Sequence, residues 1–102
     1  MAEWSYHNPV KVRFGSSCLG ALADLALSRS VLLVTTAGAT ARGLTDRIKE
    51  LLGEALVAVH DGVLPNPTFS AVDSAVSSTT SHTFDLIVAA GGGSTIDTAK
   101  AI

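Results

Sequence analysis

The apolar run Leu86 to Ala90 leads straight into Gly91-Gly92-Gly93-Ser94-Thr95-Ile96-Asp97, and that succession leaves few folds open. So short and so apolar a run reads as a buried strand. Three glycines turn the chain, and Ser94 and Asp97 then stand three apart, the spacing of a capping box that opens a helix. A strand that passes through a glycine turn into a helix N-terminus is an anion site. The first-turn N–H groups lack partners, the helix dipole is positive there, and missing Cβ atoms let a phosphate reach the backbone. A plain flexible turn is the structural alternative, but strand, glycines, Ser94 and Asp97 together favour a phosphate. The glycines lack the G-x-G-x-x-G spacing and follow a late strand, which disfavours a standard first-turn dinucleotide fingerprint.

The same grammar recurs upstream. Val10, Val12 and Phe14 alternate with Lys11 and Arg13, as in a half-buried strand, with Pro9 at its start. Gly15-Ser16-Ser17 turns into a first helix with Leu19, Leu22 and Leu25 or Ala26 on one face. Ser30 to Thr35 reads as a strand buried on both sides, followed by a loop from Thr36 to Thr40 around Gly38. Leu44, Ile48, Leu51 and Leu52 mark a helix that Gly53 stops, and residues 55–60 form the next strand. The connection from Asp61 to Thr68 is stiffened by Pro65 and Pro67. A weaker helix follows, marked by Phe69, Val72 and Val76, with a serine- and threonine-rich tail. Strands alternating with helices predict βαβ units with right-handed crossovers, hence an α/β fold around a mainly parallel sheet. Such sheets bind ligands at the carboxyl ends of their strands, where Thr35–Thr40, Asp61–Thr68 and Gly91–Ser94 are expected to converge.

Composition narrows the function classes. Charged residues make up 16% of the 102, against about 25% in an ordinary soluble domain. Further chain or a partner is therefore expected to cover part of the neutral surface. The net charge of −2 offers no basic footprint for nucleic acid. The single cysteine, Cys18, cannot form an internal disulfide, no stretch is apolar enough to span a membrane, and residues 1–8 lack a signal-peptide core. A cytoplasmic protein is expected. Ile102 falls barely two turns into the last helix, so the chain reads as the front part of something longer.

Gly91-Gly92-Gly93-Ser94-Thr95-Ile96-Asp97-Thr98-Ala99-Lys100-Ala101-Ile102 resembles the signature of the iron-containing (group III) alcohol dehydrogenases. Val63-Leu64-Pro65-Asn66-Pro67-Thr68 resembles a second stretch of that family, and Phe14-Gly15 and Leu33-Val34-Thr35 match its opening strands in order and spacing. The resemblance implies a Rossmann-like N-terminal nucleotide-binding domain, residues 1–102, from a two-domain dehydrogenase. The C-terminal helical domain, which would carry a divalent iron or zinc, is then absent. It also implies NAD or NADP as cofactor and a small alcohol or aldehyde as substrate. Gly92, Gly93 and Ser94 would hold the pyrophosphate, with Asp97 on the same helix, and Asn66 would lie near the adenosine half. Many NAD-using members carry an aspartate where this chain has Thr36, so repulsion of a 2′-phosphate is gone and NADP is admitted. The N-terminal strand of the family takes part in dimer contacts, which makes the stretch from Trp4 to Phe14 a candidate homodimer element.

His7, His60 and His82 have no metal-site spacing, and the resemblance places the metal ligands in the later domain. No catalytic residue is expected in this chain, and residues 1–102 alone are expected to have no turnover. Three alternatives stand beside the alcohol dehydrogenase reading. One is a maleylacetate reductase-type enzyme. Another is a non-redox nucleotide- or phosphate-binding module related to dehydroquinate synthase, and the third a non-catalytic interaction fragment.

Overall fold

The computed structural model describes residues 3, 5, 14, 15, 18–65 and 68–102. Most of the expected opening strand and the aromatic arm before it lie outside the described residues, as does Asn66.

A 3-10 turn, Cys18–Gly20, leads into α1, Ala21–Leu25. Of the two candidates for its inner face Ala26 is buried and Leu25 exposed, so the stripe runs through Leu19, Leu22 and Ala26. Strand β1, Val31–Val34, is buried along its whole length, as the unbroken apolar run predicts. The stretch read as a loop after it is instead a short helix, α2, Ala37–Ala41. Thr36 caps it, its Oγ1 accepting from the Ala39 N–H at 3.0 Å. Helix α3, Leu44–Leu52, buries Ile48 and Leu52 and ends at Gly53, which takes φ 56. Strand β2 is Leu56–His60.

Helix α4, Phe69–Thr79, is capped by Thr68; of the expected stripe Val72 and Val76 are half-buried beside the buried Ala75 and Thr79, whereas Phe69 is exposed. Its serine- and threonine-rich tail is helical as far as Thr79, and the hydroxyls of Ser78, Thr79 and Thr80 donate back to carbonyls three or four residues earlier. Strand β3, Leu86–Ala89, and α5, Gly93–Ala101, follow.

The strands form one parallel sheet in the order β2-β1-β3. Val31 and Leu33 pack on one face with Ala26, Ile48 and Leu52, and Leu32 and Val34 pack on the other with Val63 and Ala99. The register shifts between Val31 and Leu32: Val31 pairs with Leu56, but Leu32 pairs with Ala58. This extra residue, Val57, sends Leu56 to the first face and Ala58 to the second, although two residues apart on a regular strand share a face.

Helix α3 carries the chain from β1 to β2 over the first face. The return from β2 past β1 to β3 runs the opposite way, so a right-handed crossover puts α4 on the second face, where α5 also packs through Ala99. The connections leaving β1 and β3 thus depart to opposite sides of the sheet. Adjacent strands that do this open a crevice between their carboxyl ends, a topological switch point.

Two packed faces on one strand make its side chains unequal to those outside. Leu32→Ala should lower stability by about 2–5 kcal/mol through the cavity it leaves, and Leu25→Ala by less than about 0.5 kcal/mol. Urea unfolding of the two variants measures both, and equal losses would contradict the assignment of faces.

Candidate functional site

The crevice is held open by one residue. Thr35, directly after β1, donates its N–H to the His60 carbonyl at the end of β2 (2.8 Å) and its hydroxyl to the Ala90 carbonyl at the end of β3 (2.7 Å). Its own carbonyl accepts from the Val63 N–H at 3.4 Å. The three strand ends, and with them the three loops expected to converge, are fixed along one edge of the sheet. Thr35 is buried, and each of its polar groups has a partner, as burial requires.

On the β3 side, Gly91 takes φ 157, and a Cβ built on it would stand 2.5 Å from Thr95 Oγ1. Thr95, buried in the first turn of α5, packs directly against the turn, and only glycine allows that approach. All three glycines are exposed, but Gly92 and Gly93 differ from Gly91 in that no atom lies within 4 Å of the place a Cβ would occupy. Gly91 serves the fold, whereas the bare backbone of Gly92 and Gly93 faces open space at the positive end of α5. That is the geometry an anion needs.

The capping box expected at Ser94 and Asp97 is not formed. Gly92 is the N-cap, its carbonyl accepting from the Thr95 and Ile96 N–H groups at 3.1 and 3.2 Å, so α5 begins at Gly93. Ser94 is the second helical residue, and Asp97 lies beyond the first turn. The seat of Thr95 against Gly91 fixes this phase. Ser94 and Asp97 instead line a cleft of about 700 Å³ between α4 and α5, together with Thr68, Phe69, Val72 and Asp73. The structure therefore brings together Gly92, Gly93, Ser94 and Asp97 and sets Thr68, the end of the proline-rich connection, beside them. Thr36 stands at the end of β1, on the other flank of the crevice. The sequence reading missed the buried hydroxyls of Thr35 and Thr95. A threonine closing an all-apolar strand, which must find a partner for its hydroxyl, was the available signal for Thr35.

Among the described residues no three His, Cys, Asp or Glu side chains come together in a group suited to a metal ion. The described residues do not fit such a centre, and no chemical step is assigned to a metal in them. No helix among them is long and apolar enough to cross a membrane.

The model of the iron-containing alcohol dehydrogenase family matches residues 9–102. The chain belongs to that family. It is 37% identical to the probable NADH-dependent butanol dehydrogenase 2 of Bacillus subtilis, over all of this chain and 27% of the relative. Among solved structures it resembles sulfoacetaldehyde reductase from Bifidobacterium kashiwanohense in complex with NAD+. That match has a TM-score of 0.86 and 27% identity, over 98% of this chain and 27% of that one. It also resembles NADH-dependent butanol dehydrogenase A from Thermotoga maritima, with a TM-score of 0.81 and 28% identity, again over 98% and 27%. The chain thus spans about a quarter of the length of these relatives. The Rossmann-like α/β architecture read from the sequence is the fold of this portion of the family.

The contrast between the glycines is measurable. Gly91→Ala forces Thr95 or the turn to move and should cost about 1–3 kcal/mol. Gly92→Ala meets nothing and has ordinary backbone angles, so its change should stay within about 1 kcal/mol of zero. Thermal or urea unfolding would show the difference, and a Gly92→Ala loss as large as that of Gly91→Ala would contradict the open space above residue 92.

Proposed function

We propose that this chain is the nucleotide-binding portion, residues 1–102, of an NAD(P)-dependent oxidoreductase that interconverts a small alcohol and its aldehyde. The carrying observation is the open backbone of Gly92 and Gly93 at a switch-point crevice, in a chain of the iron-containing alcohol dehydrogenase family. The relatives support the reading: one is named as an NADH-dependent butanol dehydrogenase, and another was solved with NAD+.

In this reading the N–H groups at the start of α5 and Ser94 receive the pyrophosphate. The cleft between α4 and α5, with Asp97 on its wall, borders the path of the dinucleotide. Asn66 and Thr36 contact the adenosine half from the other two loops. A bound nicotinamide ring supplies or accepts the hydride, and the chain's own residues bind and orient it. The iron or zinc of the family belongs, in this proposal, to a helical domain outside these 102 residues, as do the groups that choose the substrate.

Gly92→Val places a branched side chain where the phosphate must approach and where no protein atom stands. Its circular dichroism spectrum should match the parent, while dinucleotide affinity by fluorescence titration falls at least about tenfold, roughly 1.4 kcal/mol. Unchanged affinity would move the binding site elsewhere. The 102-residue chain itself should show no oxidation of NADH or NADPH with short aldehydes in the presence of ferrous or zinc ion. Turnover in that assay would overturn the placement of the metal and substrate groups outside it.

A further inference from the structure

We infer that Thr35 is a positioning residue for the dinucleotide: its buried hydroxyl holds the glycine turn in the shape that receives phosphate before any ligand arrives. This rests on the dinucleotide reading above and adds to it a residue that touches no ligand.

Glycine loses more backbone freedom on ordering than any other residue, and Gly91, Gly92 and Gly93 stand in a row. A phosphate that had to order them itself would bind more weakly by that cost. Here the protein supplies the order. Just before the turn, the Ala90 N–H donates to the Val34 carbonyl at 3.0 Å, and the Ala90 carbonyl accepts from Thr35 Oγ1 at 2.7 Å. The first bond continues the ladder between β1 and β3. The second fixes the plane of the Ala90–Gly91 peptide, because the C=O and N–H of a trans peptide share one plane and point in opposite directions. On the far side of the turn, Thr95 sits against Gly91, and the Gly92 carbonyl accepts from the Thr95 and Ile96 N–H groups. The same trans geometry turns the Gly93 N–H out of the helix. Among the described residues, none accepts from the N–H of Gly92 or Gly93. The carbonyls of the turn are moored, and its amides face a ligand.

Of the hydrogen bonds that hold Ala90 and Gly92, the one from Thr35 is donated by a side chain; the others are main-chain bonds that any residue could make. Thr35 is 1% exposed, so water does not compete for its hydroxyl. The same residue precedes Thr36, the cap of α2. Its hydroxyl therefore also sets the distance between the glycine turn and the α2 flank, the two sides between which the proposed ligand lies. What it prepares is the seat of the pyrophosphate, a group that NADH and NADPH share, so removing it weakens both alike.

The test compares the parent with Thr35→Val, which keeps the shape and removes the hydroxyl, and with Thr35→Ser, which restores it. Thr79→Val is the control: it makes the same change at another buried threonine, whose hydroxyl serves its own helix α4. In the unliganded parent, amide NMR relaxation should give Gly92 and Gly93 order parameters of about 0.85, level with β1, and in Thr35→Val values below about 0.6. Fluorescence titration should show NADH and NADPH affinity falling alike in Thr35→Val, at least about tenfold, which is what the ordering of one residue is worth. Thr35→Ser should keep the parent's order parameters and affinities, and Thr79→Val should lose stability without losing affinity. A glycine turn that is mobile in the unliganded parent overturns the role of Thr35, even if Thr35→Val fails to fold. Unchanged affinity in Thr35→Val, a loss that Thr35→Ser shares, or an equal loss in Thr79→Val would each overturn it too and leave the dinucleotide reading standing. Binding of neither NADH nor NADPH by the parent would remove that reading and this inference with it.

Discussion

Thr35 has three polar groups, and they hold together the ends of all three described strands. Its N–H is tied to β2, its hydroxyl to the carbonyl that follows β3, and its carbonyl to Val63, which packs in the second core. A hydrogen bond contributes about 0.5–1.5 kcal/mol net, but a buried group left without one costs about 1–3 kcal/mol. The pairing is therefore close to obligatory once β1 is buried. Without it, the loops that leave the sheet would have no fixed distance from one another, and no crevice of constant width would exist.

Burial of β1 on both faces is the second constraint, and it follows from the first core residues outward. A strand with no exposed side chain needs helices on both sides. With right-handed crossovers, the chain can provide them only by sending successive connections to opposite faces. The switch point is the geometric result. The two loops at its mouth are then closed by different chemistry. After β1, Thr36 caps a short helix with its own side chain. After β3, the cap is glycine, and the surface left there is bare backbone. One flank thus presents side chains and the other main-chain N–H groups, a division of labour suited to a ligand that carries phosphates along its length.

Much of this was legible in the residues. The run Val31–Val34, the i, i+4, i+8 stripe of α3 and the stop at Gly53 all appear where pattern and propensity place them, because each depends on neighbours within a few positions. The misreadings share a cause. Phe69 carries the spacing of the stripe that Val72 and Val76 belong to, yet it is exposed, because spacing sets which residues share a face and not how far along the helix the packing extends. Ser94 and Asp97 have the spacing of a capping box, but Thr95, packed against Gly91, sets the start of α5 two residues earlier, with Gly92 as the N-cap. The register shift at Val57 leaves no trace in the apolar pattern of β2, since it exists only relative to β1.

By itself, then, the sequence determined the α/β class, the parallel sheet, the glycine turn between β3 and α5 and the family to which the chain belongs. These rest on local rules: backbone sterics at glycine, the period of a helix, the burial of an all-apolar strand. Tertiary structure alone decided which glycine is held against Thr95 and which face open space, and that Thr35 joins the strand ends. Those outcomes depend on contacts between residues far apart in the chain, up to the 55 positions that separate Thr35 from Ala90. No local propensity specifies a partner at that distance; only the packed sheet does.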